Sequence, residues 1–493
     1  MEKNQIIELT IEDMLDDGRA FGRYEGCGVF VSGGCSIGKG VSAAGAVPGD
    51  RVTAKVIRTR KSSAEASLLA VTEPSADRVV SDCRYAAECG GCTLRELAYE
   101  AQKKLKTDQV RSKLIRLGGL SDPCVKPIIG ADTVNYYRNK AVFSVGPHGE
   151  VGFVRKKSHY VIDIDDCLLQ SDAAMVCADA LRHFLHRHQT GCITQMTVKT
   201  AFGTGEVMVV LDSERKDIPH IEELTELLDD AVYSLSCDDE GQPDPDAESF
   251  SLESVAVIHK GKCRILAGKP TITDEIIREN GRSVAFEISP QSFYQVNPEQ
   301  MVRLYDKSAV YADLRGGETV LDLYCGAGTV GLWLLEDLRG RDEEAFERTS
   351  VIGIESVKPA VIDANRNSVI NGIVNTRYFC GKAEEELPGM MGLAKLYKWN
   401  EVNERVEREP ELRIDKVDVA VLDPPRAGCD EALLNAVVKA QPEKIVYISC
   451  DPGTLARDIR YLTDNGYEFI EATPVDQFPN TSHIEVVAKI QRQ

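Results

Sequence analysis

Four strand-like runs end in residues able to do chemistry. Leu321-Asp322-Leu323-Tyr324 leads into Cys325-Gly326-Ala327-Gly328-Thr329-Val330-Gly331, a glycine-rich turn that opens a helix. Glycine at 326 and 328 lets the backbone approach a nucleotide-like ligand, because a Cβ would block the close turn. The next apolar run ends in Glu355, a carboxylate placed to accept both hydroxyls of a ribose, which fits a dinucleotide and S-adenosylmethionine equally well. The third ends in Asp423-Pro424-Pro425-Arg426. Two prolines after an acid make a rigid, extended turn with no N–H at either ring, a stiff wall beside a methyl-donor pocket and not a dehydrogenase feature. The fourth ends in Ser449-Cys450-Asp451-Pro452 and brings a thiol to the same edge.

A second constellation is Cys83-x5-Cys89-Gly90-Gly91-Cys92, with Cys167 far downstream in Asp165-Asp166-Cys167-Leu168. Four thiolates can hold zinc or an iron–sulfur cluster, and spacing alone does not separate the two. The chain carries 15 cysteines. In a reducing compartment disulfides are not their expected use, and others such as Cys177, Cys192 and Cys263 read as small buried apolar residues.

The elements that must position these groups fall into three parts. Residues 1–72 read as short strands punctuated by glycines and the Pro48-Gly49-Asp50 turn, the pattern of a small closed barrel. Arg51, Lys55, Arg58, Arg60 and Lys61, with no acid between Arg51 and Ala64, suit a phosphate-tracking surface. Residues 73–280 hold the four cysteines and a helix expected over Leu94–Leu120. Leu97, Leu105, Val110, Leu114 and Leu117 form its apolar face, and Lys103, Lys104, Lys106, Arg111, Lys113 and Arg116 its polar one. Alternating strand-like and helix-like stretches follow, broken by an acidic, turn-rich insertion from Asp238. Arg138-Asn139-Lys140 and Arg155-Lys156-Lys157 are candidate phosphate contacts. Residues 281–493 alternate apolar strands with amphipathic helices, the signature of a parallel sheet whose ligand site lies at the carboxyl ends of its strands; residues 388–416 read as a further insertion.

At 493 residues the chain is too long for a single core, and 43% apolar with 28% charged is the balance of an ordinary soluble protein. No run reaches the length of a membrane span, and Met1 to Glu12 lacks the order of a signal peptide, so a cytoplasmic location is expected. The net charge of −20 is uneven. Residues 1–160 hold 24 Lys and Arg against 19 Asp and Glu, leaving a strongly acidic body, which argues against a chain that coats nucleic acid along its whole length.

The motifs LDLYCGAGTVGL, DPPRAG, ISCDPGTLARD and DQFPNTSHIE, in that order, resemble the uracil-C5 RNA methyltransferase family. The resemblance implies a Rossmann-like, class I methyltransferase domain, with Cys450 as nucleophile and Glu485 as base. It extends to Ser289-Pro290-Gln291-Ser292-Phe293-Tyr294-Gln295-Val296-Asn297, and implies that Gln295, Tyr324, Glu355 and Asp423, beside Gly326 and Gly328, hold S-adenosylmethionine. His483, Pro479 and Phe478 surround Glu485 as in the family, whereas Asp451 stands where many members have asparagine, and an acid beside the nucleophile predicts a raised thiol pKa. Members acting on ribosomal RNA are similar in carrying a [4Fe–4S] cluster on cysteines spaced like Cys83, Cys89, Cys92 and Cys167, within an α+β domain that follows a TRAM barrel. The resemblance thus implies a 23S rRNA (uracil-C5)-methyltransferase, and a monomer is expected; the alternatives are a tRNA-directed enzyme and a non-catalytic RNA-binding scaffold. The chemistry suits the residue types. Uracil C5 takes a methyl group only after a thiolate has added to C6, and the C5 proton must then leave to a base.

Overall fold

The computed structural model describes residues 1–493 apart from 16, 38–40, 157, 239, 241, 243, 245–248, 279–280 and 400–404. Near the N-terminus the strands Cys27–Ser32, Ala20–Tyr24, Ile6–Met14, Arg51–Thr59 and Ser63–Glu73 pair in that spatial order. Cys27–Ser32 then closes the ring by pairing parallel with Ser63–Glu73. Alternation along Ile6–Met14 sends Ile7, Leu9 and Ile11 inward, so closure gives these side chains a core and leaves few free edges. The cationic run is partly neutralised by neighbouring strands: Arg51 pairs with Glu73 at 3.2 Å and Arg60 with Glu65 at 3.2 Å. Lys55, Arg58 and Lys61 stay exposed.

The middle of the chain forms a seven-stranded sheet from Lys140–Val145 to Lys262–Gly268, antiparallel except where Glu206–Ser213 meets Ser251–His259. That parallel step needs a crossover, which the helix Ile221–Ser234 supplies. It packs with Asp172–His188 over one face, burying Cys177, Leu181, Phe184, Leu224 and Leu228. The insertion from Asp238 lies largely outside the described residues.

The C-terminal sheet runs Thr376–Cys380, Ser350–Glu355, Thr319–Leu323, Val419–Leu422, Lys444–Ser449, Glu485–Arg492 and Tyr467–Val475. The first five strands are parallel; Glu485–Arg492 slots in antiparallel beside Lys444–Ser449. Both faces are covered, which is why Val419–Leu422 is buried throughout. One core gathers around Trp333, Met301 and Tyr305, the other around Leu433, Leu455 and Ile459.

Three expectations are revised. The helix predicted over Leu94–Leu120 spans Tyr99–Arg116, and its buried stripe is Gln102, Lys106, Val110 and Leu114. Lys106, read as solvent-facing, is fully buried, while Leu117 is half exposed. The helix packs on Pro452–Asp464 in the C-terminal part. Beyond it, Val125 and Ile129 bridge to Ala472 and Val475, covering an edge strand that would otherwise leave its backbone unpaired. Residues 99–129 therefore belong structurally with the C-terminal sheet. Lastly, in 388–416 the strands Leu396–Trp399 and Arg405–Arg408 pair as a ribbon around undescribed residues.

Candidate active site

The glycine-rich turn leaves the strand Thr319–Leu323 through Tyr324, whose φ is +63°, then Gly326 at +53° and Gly328 at +75°. These left-handed angles favour glycine, and a Cβ on Gly328 would sit 2.6 Å from the Tyr378 hydroxyl. A Cβ on Gly326 would meet nothing within 4 Å, so at that position the backbone faces open space. Asp322 is fully buried below the turn, accepting the Gly331 N–H at 3.0 Å. Glu355 accepts the Gly326 N–H at 3.1 Å and the Val357 N–H at 2.7 Å, leaving further lone pairs for ribose hydroxyls. Tyr324, Ile354, Ser356, Gly381, Ala383 and Pro425 line one cleft of about 880 Å³.

Cys450 and Glu485 meet through strand register. Ser449 is the Cα partner of Val486, the last pair of that antiparallel ladder; Cys450 directly follows the one strand and Glu485 opens the other, close enough for the Glu485 carboxyl to act on the thiol. Cys450 is half-buried and Glu485 buried. Burial, then Glu485 and Asp423, push the thiol up to about 11, against the pull of the Arg426 guanidinium. Burial, then Asp423, raises Glu485 well above the usual carboxylate range, again opposed by Arg426. Burial, then Asp322, pushes Asp423 up to about 7. The thiol is raised as expected, but Asp451 is not the cause. Its carboxylate caps the helix Pro452–Asp464, accepting the Gly453 N–H at 2.7 Å and the Thr454 N–H at 3.3 Å.

Of the expected site residues only Tyr324 lines the 880 Å³ cleft; Gly326, Gly328, Glu355, Asp423, Cys450 and Glu485 do not, nor does Gln295. It is 4% exposed, its Oε1 accepting from Gln477 Nε2 at 3.4 Å and its carbonyl from Asn139 Nδ2 at 2.9 Å. Lys199, also buried, donates to the carbonyls of Ser289 at 2.7 Å and Ser292 at 2.9 Å, which fixes the turn ahead of Gln295.

Cys83, Cys89, Cys92 and Cys167 converge on a separate cavity of about 390 Å³. Tetrahedral zinc would hold its thiolates about 3.8 Å apart, given a bond of about 2.3 Å. Among the described residues, no three of these sulfurs lie within 4.8 Å of one another. Arg95 Nη1 and Arg138 Nε, both buried on the cavity wall, have no hydrogen-bond acceptor, as suits a wall built around an anionic group. Arg138 lines that cavity, Asn139 holds the Gln295 loop and Arg155 pairs with Glu88.

A family profile described as tRNA (Uracil-5-)-methyltransferase matches residues 232–493. The chain belongs to the uracil-C5 RNA methyltransferase family. An RNA methyltransferase of Caldanaerobacter subterraneus is 37% identical to this methyltransferase over 98% of the chain and 98% of its own length. One of Halalkalibacterium halodurans is 34% identical over 100% and 98%. The solved structure of Pyrococcus abyssi tRNA (uracil-54, C5)-methyltransferase in complex with S-adenosyl-L-homocysteine covers 98% of the chain and 100% of its own, with a TM-score of 0.68 at 24% identity, a likeness of fold. As a member of that family the methyltransferase takes S-adenosylmethionine as its methyl donor and RNA as its substrate. Among its described residues no helix is long and apolar enough to cross a membrane.

Sequence reasoning missed several residues around this site. Arg426 was seen only as the end of a stiff wall, and Lys106 as one charge on a polar face. Gln477 lay inside a quoted motif without a role. The signal for Arg426 was its place two residues after the Asp423-Pro424 turn; for Lys106 there was none, because nothing near it in sequence reports its partner Asp476.

Proposed function

We propose that this methyltransferase modifies C5 of a uridine in 23S ribosomal RNA, with Cys450 as a transient covalent nucleophile and Glu485 as the base that removes the C5 proton. The observation that supports this reading is that the Ser449–Val486 pair ends its ladder just where Cys450 and Glu485 begin, with Glu485 acting on the thiol. The Cys450 thiolate adds to C6, and the electron pair of the C5–C6 double bond makes C5 nucleophilic. S-adenosylmethionine, held by Gln295, Tyr324, Glu355 and Asp423 beside Gly326 and Gly328, would supply the electrophilic methyl, the new C5–CH3 bond forming as the sulfonium–methyl bond breaks and S-adenosylhomocysteine leaves. Glu485 then takes the proton left on C5, and the returning electron pair restores the double bond and expels the Cys450 sulfur. A carboxyl with a raised pKa in a dry pocket is a stronger base than one in water. The target base must leave its stack to reach Cys450, so loops and refolded single strands suit the site.

The four sulfurs suit a [4Fe–4S] cluster of structural role, tying the segment Cys83–Cys92 to Cys167, and we assign them to it. The barrel of residues 1–72 is read as a TRAM domain that, with the middle region, binds RNA; the enzyme acts as a cytoplasmic monomer. Barrel and cysteines together favour ribosomal RNA. The fold likeness to a tRNA-directed enzyme across nearly the whole chain supports tRNA as the second reading.

With RNA containing 5-fluorouridine no C5 proton is available, so wild type and Glu485→Gln are expected to form a stable protein–RNA adduct and Cys450→Ala none. An adduct with the alanine variant refutes the mechanism. Mapping 5-methyluridine in a strain lacking the gene decides the substrate: loss from 23S rRNA is expected, and loss from tRNA alone overturns that assignment.

A further inference from the structure

The connection Asp476–Ile484 leads into Glu485 and is irregular, yet Asp476, Gln477, Asn480, Thr481 and Ser482 are all buried. A buried loop must find partners for its polar groups elsewhere. They come from the segment that follows the clustered cysteines. Lys106 Nζ donates to Asp476 Oδ1 at 2.5 Å and to the Phe478 carbonyl at 3.1 Å. Gln102 is bonded twice to Asn480, its Oε1 accepting the Asn480 N–H at 3.0 Å and its Nε2 donating to Asn480 Oδ1 at 3.2 Å. Thr93 Oγ1 accepts the Ser482 N–H at 2.8 Å, and Tyr137 donates to the Pro479 carbonyl at 3.0 Å. Asn480 is held at φ +66°, a conformation that survives only where its surroundings enforce it.

We infer that Gln102 and Lys106 are positioning residues for proton removal: by fixing the loop Asp476–Ile484 they hold Glu485 against C5 of the adduct. This rests on the roles proposed above for Cys450 and Glu485. The geometry separates the two steps. Asp476 directly follows Val475, the cross-strand partner of Glu485, so a shift at Asp476 displaces the base. Cys450 follows the strand Lys444–Ser449 and precedes the helix that Asp451 caps; the helix Tyr99–Arg116 also packs on that helix, but the Gln102 and Lys106 hydrogen bonds run to the loop and not to Cys450.

The test is Gln102→Leu with S-adenosylmethionine and total RNA from the gene-deletion strain, following turnover together with the fraction of protein covalently linked to RNA on denaturing gels. Turnover is expected to fall about tenfold to a hundredfold, the range a misplaced general base loses, while single-turnover methyl incorporation stays near wild type and the linked fraction rises severalfold. The double variant Lys106→Met with Asp476→Leu removes both charges, leaves no lone buried ion, and should accumulate adduct as well. If methyl incorporation and linked fraction fall in step with turnover, or nothing changes, the inference is overturned. A Glu485→Gln control that forms no adduct overturns the underlying mechanism instead.

Discussion

Cys450 stands between two carboxyls that resist its ionisation and one guanidinium that favours it. With the thiol at about 11, only about one molecule in ten thousand carries a thiolate at neutral pH. In the mechanism proposed above, a cationic methyl donor beside Asp423 would favour thiolate and carboxylate alike, which predicts that the donor binds before addition to C6. The same electrostatics predict how the donor binds. Asp423 is held near 7 by burial and by Asp322, and its protonated form offers a cation no opposing charge. Affinity for S-adenosylmethionine should therefore fall as pH drops below about 7 and level off above it, with protons released on binding near neutrality. Titration calorimetry from about pH 5.5 to about 8.5 checks this; an affinity that does not change across the range contradicts it. Asp451 carries the complementary lesson. Adjacency in sequence suggested that it governs the thiol, but its carboxylate points along the backbone to the Gly453 and Thr454 N–H groups.

At the scale of elements, the proposed nucleophile Cys450 sits at a strand-to-helix junction whose parts were legible. Asp451 is the N-cap, Pro452 occupies the first helical turn, and Leu455, Ile459 and Leu462 form the buried stripe, all local preferences. Asp451→Ala should lower stability by about 1 kcal/mol, seen as an earlier denaturant midpoint, whereas Asp451→Asn, which keeps the capping oxygen, should be close to neutral. Equal loss in both would place the effect in charge and not in capping. The helix Tyr99–Arg116 shows the limit of such reading. Its repeating leucines marked an apolar face, yet the buried side carries Gln102 and Lys106, because the surface it meets is the polar Asp476–Ile484 loop.

For the whole molecule, long-range ties bring its parts to one site. The cysteine segment reaches the base-bearing loop through Thr93 and Leu94, and the middle sheet reaches the Gln295 turn through Lys199 and Asn139. Val296 lines the four-cysteine cavity itself. A cluster linking Cys92 to Cys167 would restrain that long loop and the walls that support both turns. Protein purified without oxygen should contain about four iron and four sulfide per chain. Its loss in Cys83→Ser should speed hydrogen exchange across 476–484. Zinc in place of iron, or unchanged exchange, contradicts this.

Sequence alone determined the local features: the glycine turn, the acids and the thiol at strand ends, the caps, the barrel alternation and the four-cysteine spacing. Each depends on a few neighbouring residues, whose backbone angles, periodicity and side-chain chemistry belong to the covalent chain. Only the tertiary structure decided that Glu485 lies close to Cys450, that Lys106 is buried on Asp476 and that Arg138 lines the four-cysteine cavity. Those facts depend on strand register and burial between segments up to hundreds of residues apart, where no local preference carries the information.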